Sequence, residues 1–307
     1  MSDYLIIGPT KSGKTGLLAT LAQASWSYEL TEEGTSVRVL RPNPAMSALA
    51  DLAQGTIREG MLPMSATNEV IEYEFTLHVQ RRKVAFLPWP TQETEGRFSL
   101  WDGPGGALFP NPTAGGASFD IVEYRRFRDA LVESLTRASG LMLCLDSTDN
   151  TRALEMFEAL PGIMRDTGLA TLPCKRVAVC LTKVDSRFAD KGTEARATAE
   201  RESPQACCRS LLPSVIFRVL STFCADAQFG FGWTSVYGFT PDGSPNYDEA
   251  NQRLAQWELT AAGANALIER WVPFRVIDPF LWLATGTARD LEVYAAGELP
   301  HMFAPSR

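Results

Sequence analysis

The chain has 307 residues, 45% of them hydrophobic and 21% charged, with a formal net charge of −7. That balance excludes a disordered chain, argues against general affinity for nucleic acid, and allows one elaborated domain with a large core. The six cysteines form no C-x-x-C pair and there are only two histidines, His78 and His301, which favours reduced thiols and disfavours a His-based metal site or triad. No apolar run approaches the ~20 residues of a membrane span and no signal-peptide pattern precedes the first strand, so the expected location is the cytoplasm.

Tyr4-Leu5-Ile6-Ile7 reads as a buried strand, and Leu17, Leu18, Leu21 and Ala22 recur at helical spacing in a helix expected to end near Ser27. Between them Gly8-Pro9-Thr10-Lys11-Ser12-Gly13-Lys14-Thr15 spells G-x-x-x-x-G-K-[ST], with Gly16 next in line. Glycines let the backbone wrap round phosphates, successive N–H groups and a helix N-terminus meet the negative charge, Lys14 adds a cation, and Thr15 offers a hydroxyl to Mg2+. Strand, loop and helix together make this a nucleotide-binding pattern.

Val37-Arg38-Val39-Leu40 then reads as a strand and Ala45 to Ala53 as a short helix. From Val70 to Val79, Ile71, Tyr73, Phe75 and Leu77 alternate with polar residues as in a half-buried strand, and Thr67 stands just before it. Phe98 to Trp101 is a further strand that runs into Asp102-Gly103-Pro104-Gly105, the pattern D-x-x-G. The Gly- and Pro-rich loop from Gly106 to Ser118 is expected to move. A helix over Ile121 to Arg137, a strand over Leu141 to Leu145, a helix over Ala153 to Met164 and a strand over Val177 to Leu181 complete an alternating series. Buried runs alternating with amphipathic helices predict an α/β fold: a doubly wound, mainly parallel sheet with helices on both faces and ligands at the carboxyl ends of the strands.

The last of these strands leads into Thr182-Lys183-Val184-Asp185. A carboxylate at this place can accept from both N1–H and the exocyclic amine of guanine, a pair that adenine does not offer, while the Lys183 stem can lie along the ring. Beyond it, a polar opening from Lys191 to Ser203 and a helix from Pro204 past Phe217 form an insertion on the base side. Phe229 to Val236 reads as a last strand that brings Ser235 towards the base, Thr260 to Trp271 as a final helix, and the apolar tail from Trp271 to Gly286 as packing across the sheet. The resulting division is a single domain with insertions over about 28–66 and 186–227 and an apolar tail over about 257–307.

Taken in order, Gly8 to Thr15, Asp102 to Gly105, Thr182 to Asp185 and the weaker Thr234-Ser235-Val236 resemble the Ras-like P-loop GTPases of the translation-factor (TRAFAC) class. The resemblance implies GTP or GDP and Mg2+ at the carboxyl edge of the sheet. Gly8, Lys11, Ser12, Gly13, Lys14, Thr15 and Gly16 would then hold the phosphates, and Thr182, Lys183, Asp185, Ser235 and Val236 the base. Thr15 would ligate Mg2+ directly and Asp102 through water, and Gly105 would sense the γ-phosphate. Thr67 is the candidate switch threonine, with Thr56 and Ser65 as alternatives. Within the class, the Gly60-x-x-Pro63-x-x-x-Thr67 phrasing, the long route to Thr67 and the Asp278-Pro279-Phe280-x-Trp282-Leu283 tail resemble a bacterial double-GTPase type, which implies a protein effector or partner subunit, another GTPase among the candidates.

Two departures bear on catalysis. Gly106 stands where Ras proteins carry a water-orienting glutamine, and Thr10 where they carry a glycine that admits an arginine finger. Lys11 occupies the place where guanylate-binding proteins carry a catalytic arginine in cis; it would supply that charge, point to solvent or a carboxylate, or stand where other members hold a monovalent cation. The expected function is a slow or partner-stimulated GTPase switch. A non-hydrolysing GTP- or GDP-binding scaffold is the alternative, and an ATP-driven enzyme is kept because P-loops are shared.

Overall fold

The computed structural model describes residues 2–9, 11–31, 35–40, 43–58, 71–81, 92–102, 121–149, 151–248, 253–255, 271–287 and 289–303. The strands are β1 (Ser2–Ile7), β2 (Thr35–Leu40), β3 (Ile71–Arg81), β4 (Gln92–Asp102), β5 (Gly140–Asp146), β6 (Arg176–Thr182) and β7 (Gln228–Trp233), followed by a small pair, β8 (Tyr247–Asp248) and β9 (Arg253–Leu254), and by β10 (Glu292–Ala295). The longer helices are α1 (Lys14–Thr31), α2 (Pro44–Arg58), α3 (Ile121–Arg137) and α4 (Thr151–Thr167). Shorter ones follow: α5 (Val184–Arg187), α6 (Ala195–Arg201), α7 (Pro204–Leu211), α8 (Ser214–Phe223), α9 (Asp278–Thr285) and α10 (Leu299–Met302).

One eight-stranded sheet runs in the order β10-β7-β6-β5-β1-β4-β3-β2. β1, β4, β5, β6 and β7 are mutually parallel, whereas β2, β3 and β10 join antiparallel at the two flanks. Alternation along β1 shows why the sheet is covered twice. Leu5 and Ile7 pack with Phe127 and Leu131 of α3 and Leu160 of α4, while Tyr4 and Ile6 pack on the opposite side with Leu17 and Leu21 of α1 and Leu49 of α2. The chain thus forms the doubly wound, mainly parallel sheet with helices on both faces that its periodicity implies.

Strand β7 alternates more sharply still. Phe229, Phe231 and Trp233 fill one face, and Gly230 and Gly232 leave the other bare. Helix α9 occupies that space: a Cβ on Gly230 would lie 3.0 Å from the Trp282 ring and 2.9 Å from Leu291. Phe280, Leu281, Trp282 and Leu283 are all buried, so the apolar tail does pack across the sheet.

Several boundaries differ from the sequence reading. The helix expected to run from Pro204 past Phe217 is two helices, because Pro213 has no N–H to donate and holds Leu212 extended at φ −120°, ψ 137°. The polar opening from Lys191 to Ser203 carries a 3-10 turn and α6, whose small residues Ala195, Thr198 and Ala199 share one buried face. β7 stops at Trp233, since the backbone of Ser235 pairs with Phe274 instead of with β6. β4 begins at Gln92, six residues before Phe98, and α1 continues past Ser27 to Thr31. Strand β10 is unannounced in the sequence. The expected helix from Thr260 falls outside the described residues except for Trp271, which is not helical.

Candidate functional site

Five parallel strands put their carboxyl ends on one edge, and the residues singled out from the sequence gather there. The loop after β1 turns tightly: Ser12 N–H donates to the Pro9 carbonyl at 3.2 Å, Gly13 has φ 82° and Lys11 φ 65°. Gly8 can be nothing larger, because a Cβ there would lie 2.4 Å from the Cys144 carbonyl oxygen of β5. Lys14 opens α1 and folds back over the loop, donating to the carbonyls of Gly8 and Pro9 at 2.9 and 2.8 Å. Burial lowers its pKa from the usual lysine value, with Asp102 opposing that shift. A desolvated ammonium held by two neutral carbonyls is a group prepared for an anion.

Next to it, the Thr15 hydroxyl donates to Asp102 Oδ2 at 2.5 Å, joining α1 to the end of β4 across 87 positions of sequence. A hydroxyl and a carboxylate facing one another are hard oxygen donors of the kind Mg2+ takes. Asp102 is buried, so the described residues around it fit such an ion. Among the described residues no cluster of three or more His, Cys, Asp or Glu side chains offers an all-protein metal site.

The other half of the site lies after β6. The Thr182 hydroxyl lies 2.9 Å from the Ser12 carbonyl and 3.1 Å from that of Leu145, which ties the β6 motif to the phosphate loop. A Cβ on Gly13 would touch the Thr182 side chain at 3.5 Å. Lys183 takes a left-handed conformation (φ 58°, ψ 36°) and turns the chain into α5, whose first turn carries Asp185. That carboxylate is 1% exposed. Burial raises its pKa to about 6, although Ser235 and the N–H groups of Asp185 and Ser186 bond to it and oppose the shift. Its Oδ2 has no hydrogen-bond partner among the described residues, and neither have the hydroxyls of Ser12 and Thr234. Buried polar atoms without partners are rare, and three of them in the three motifs at one sheet edge point to a polar ligand. Ser235 accepts the Gly238 N–H at 2.8 Å, and the Val236 side chain rests 3.5 Å from the Cβ position of Gly16 in the first turn of α1.

The structure adds residues the motif reading passed over. Asp146, at the end of β5, takes the Lys183 ammonium at 2.5 Å on Oδ2, while its Oδ1 accepts from the Thr148 N–H and hydroxyl. Ser147 bonds to the Lys183 carbonyl. Only the position of Asp146 at a strand end, in register with Thr182, could have suggested this role. Lys11 is exposed on the loop. Thr67, Ser65, Gly105, Gly106 and Thr10 lie outside the described residues, and Thr56 falls within α2.

All six cysteines are buried and unpaired. Among the described residues no single helix is long and apolar enough to cross a membrane; the α7–α8 pair reaches that apolarity only as two helices bent by 112°.

No protein-family model matches the chain, and no curated protein matches it. Among solved structures, it is similar to an ADP-ribosylation-factor-like GTP-binding protein, the small COPII coat GTPase SAR1 from Encephalitozoon cuniculi, in complex with GDP. The two are 14% identical with a TM-score of 0.28, and the match covers 72% of this chain and 60% of that one. So loose and partial a match says nothing about what this chain binds.

Proposed function

We propose that this chain is a guanine-nucleotide-binding switch that takes Mg·GTP at the carboxyl edge of its sheet and hydrolyses it slowly, or on stimulation by a partner, to GDP and phosphate. The observation that carries the reading is the Asp185 carboxylate, buried with one oxygen unpartnered, on a motif tied by Thr182 to the phosphate loop. A nucleobase with adjacent N–H donors satisfies that oxygen; one offering an acceptor does not. In this reading Gly8, Ser12, Gly13, Lys14, Thr15 and Gly16 surround the phosphates, Lys183 covers the base on a stem fixed by Asp146, and Ser235 and Val236 close the pocket.

Thr15 and Asp102 would hold Mg2+, which on binding neutralises charge on the phosphate oxygens. Thr67 closing over the ion and Gly105 sensing the γ-phosphate are parts of the same proposal, as are a cytoplasmic setting and a protein partner selected by the triphosphate state. Gly106 supplies no side chain to orient water, which favours a non-hydrolysing scaffold as the second reading. Lys11 is our candidate for the missing charge: it is exposed on the loop, and the ammonium, a compact point charge, would stabilise less than an arginine fork.

The test is competition of GTP, ATP and XTP for a fluorescent GDP analogue, followed by single-turnover hydrolysis of wild type and Lys11→Ala. The switch reading expects GTP to outcompete ATP at least a hundredfold and Lys11→Ala to slow hydrolysis far more than it weakens binding. Equal competition by ATP would overturn the base assignment. Tight GTP binding without phosphate release, alone or with partners, would leave the scaffold.

A further inference from the structure

The loop that follows β7, residues 234–238, carries Ser235 against Asp185; Thr234 ties its start to Leu181 and Val184, and Ser235 Oγ takes the Gly238 N–H. The hold on its middle comes from a segment outside every motif. The Trp271 indole N–H reaches two carbonyls of the loop, Val236 at 3.1 Å and Tyr237 at 3.0 Å. Ser235 and Phe274 exchange backbone hydrogen bonds of 3.0 and 2.8 Å, as a one-residue antiparallel bridge. From the other side Asn246, fully buried, donates its side-chain amide to the Tyr237 carbonyl at 3.2 Å and its backbone N–H to the Gly238 carbonyl at 3.1 Å. Contact is so close that a Cβ on Gly238, which has φ 70°, would lie 2.2 Å from the Val272 carbonyl oxygen.

We propose that Trp271 is the positioning residue of the base-recognition loop, setting guanine affinity and the rate of nucleotide release through the Val236 and Tyr237 carbonyls without touching the nucleotide. The inference rests on the guanine-nucleotide reading above. Three physical steps lead to it. Turn carbonyls buried beneath a nucleotide site need donors, and the indole N–H is a donor only, so it fixes the loop backbone in one orientation. That orientation sets Ser235 Oγ between the Gly238 N–H and Asp185, and thus the direction of the carboxylate. It also seats the Val236 side chain against α1 beside Gly16, which gives the loop a fixed rest on a helix that does not itself depend on the loop.

Trp271→Phe keeps a large ring and removes the N–H; Asn246→Ala removes the side-chain donor to Tyr237 by an independent route. Release of a fluorescent GDP analogue is followed by stopped flow, alongside inhibition of nucleotide binding by inorganic tripolyphosphate, which has no base. With the Val236 carbonyl losing its indole donor and the Tyr237 carbonyl keeping only Asn246, release from Trp271→Phe is expected to quicken about tenfold. Tripolyphosphate inhibition should stay at the wild-type level, and the gain in release rate should shrink in the Asp185→Asn background, because the two act through the same contact. Asn246→Ala should move release in the same direction. Unchanged release from both variants, or equal weakening of nucleotide and tripolyphosphate, would overturn the positioning role while leaving guanine binding intact. Absence of guanine binding by the wild type would remove both readings.

Discussion

In the proposed base site, Asp185 joins recognition to instability in one side chain. Burial raises its pKa from 3.8 to about 6, so the folded chain retains a proton that the unfolded chain has released. The sign follows: this group leaves stability untouched below pH ~4 and erodes it as pH rises from ~4 to ~6, to a cost of about 3 kcal/mol at neutral pH. On the proposed reading guanine binding needs the carboxylate, so nucleotide affinity should change in the opposite sense and fall as pH drops through about 6. Asp185→Asn is therefore expected to melt higher than wild type at pH 7.5 without nucleotide, while losing ~1–3 kcal/mol of guanine affinity and gaining preference for the xanthine base. Scanning calorimetry and titration calorimetry at pH 5.5 and 7.5 read both effects. An Asn variant less stable than wild type at neutral pH would refute the desolvation argument. The type and place of this carboxylate were legible in Thr182-Lys183-Val184-Asp185, because a short motif fixes its own local turn. The residues that hold its neighbours were not: Asp146 on Lys183 and Trp271 on the Val236 and Tyr237 carbonyls are brought in by a different strand end and by the tail, and no local pattern marks a residue that acts across the sheet.

At the level of elements, legibility followed periodicity. Ile121–Arg137 was readable to the residue, and β5 and β6 to within one residue at each end, because continuous apolar runs bounded by turns have one good solution on a parallel sheet. Small elements lacked that signal. The β10 strand, four residues whose burial alternates between half-buried and exposed, gains its place only by pairing with β7. The alternation of Phe229, Phe231 and Trp233 with Gly230 and Gly232 was visible, but its meaning depends on Trp282 and Leu291 packing where two side chains are missing. That interlock is testable. Gly230→Ala should cost ~1–3 kcal/mol by overpacking, and Trp282→Leu should cost a similar amount by leaving a void. Combined, the two should cost less than their sum, since the smaller ring position accommodates the new methyl. Urea denaturation of the four proteins measures the coupling, and strict additivity would show that Gly230 and Trp282 do not share the space.

Over the whole molecule, the strand order turns separate motifs into one edge. β1 sits in mid-sheet with β4 on one side and β5, β6 and β7 on the other, so the loop after β1 is reached by Asp102 from one flank and by Thr182 and Asp185 from the other. A ligand touching all of them ties together strands that the chain visits early and late, and whatever binds only the folded state stabilises it by mass action, by about 2.7 kcal/mol at a hundredfold excess over Kd. The pattern among variants is then diagnostic of the site as a unit. Mg·GDP should raise the melting temperature by several degrees in wild type and ADP should not. Thr15→Ala should lose the part of the shift that EDTA removes from wild type, because its hydroxyl faces Asp102 where the ion would sit. Asp185→Asn should lose the shift with guanine yet respond to xanthosine diphosphate, and Lys14→Ala should lose the shift with either base, since its ammonium, held by the Gly8 and Pro9 carbonyls, would meet the phosphates whichever base is bound. A Lys14→Ala protein that kept the wild-type shift would show that the ligand does not use the phosphate loop, and the edge would then have to be read as a set of structural contacts rather than a nucleotide site.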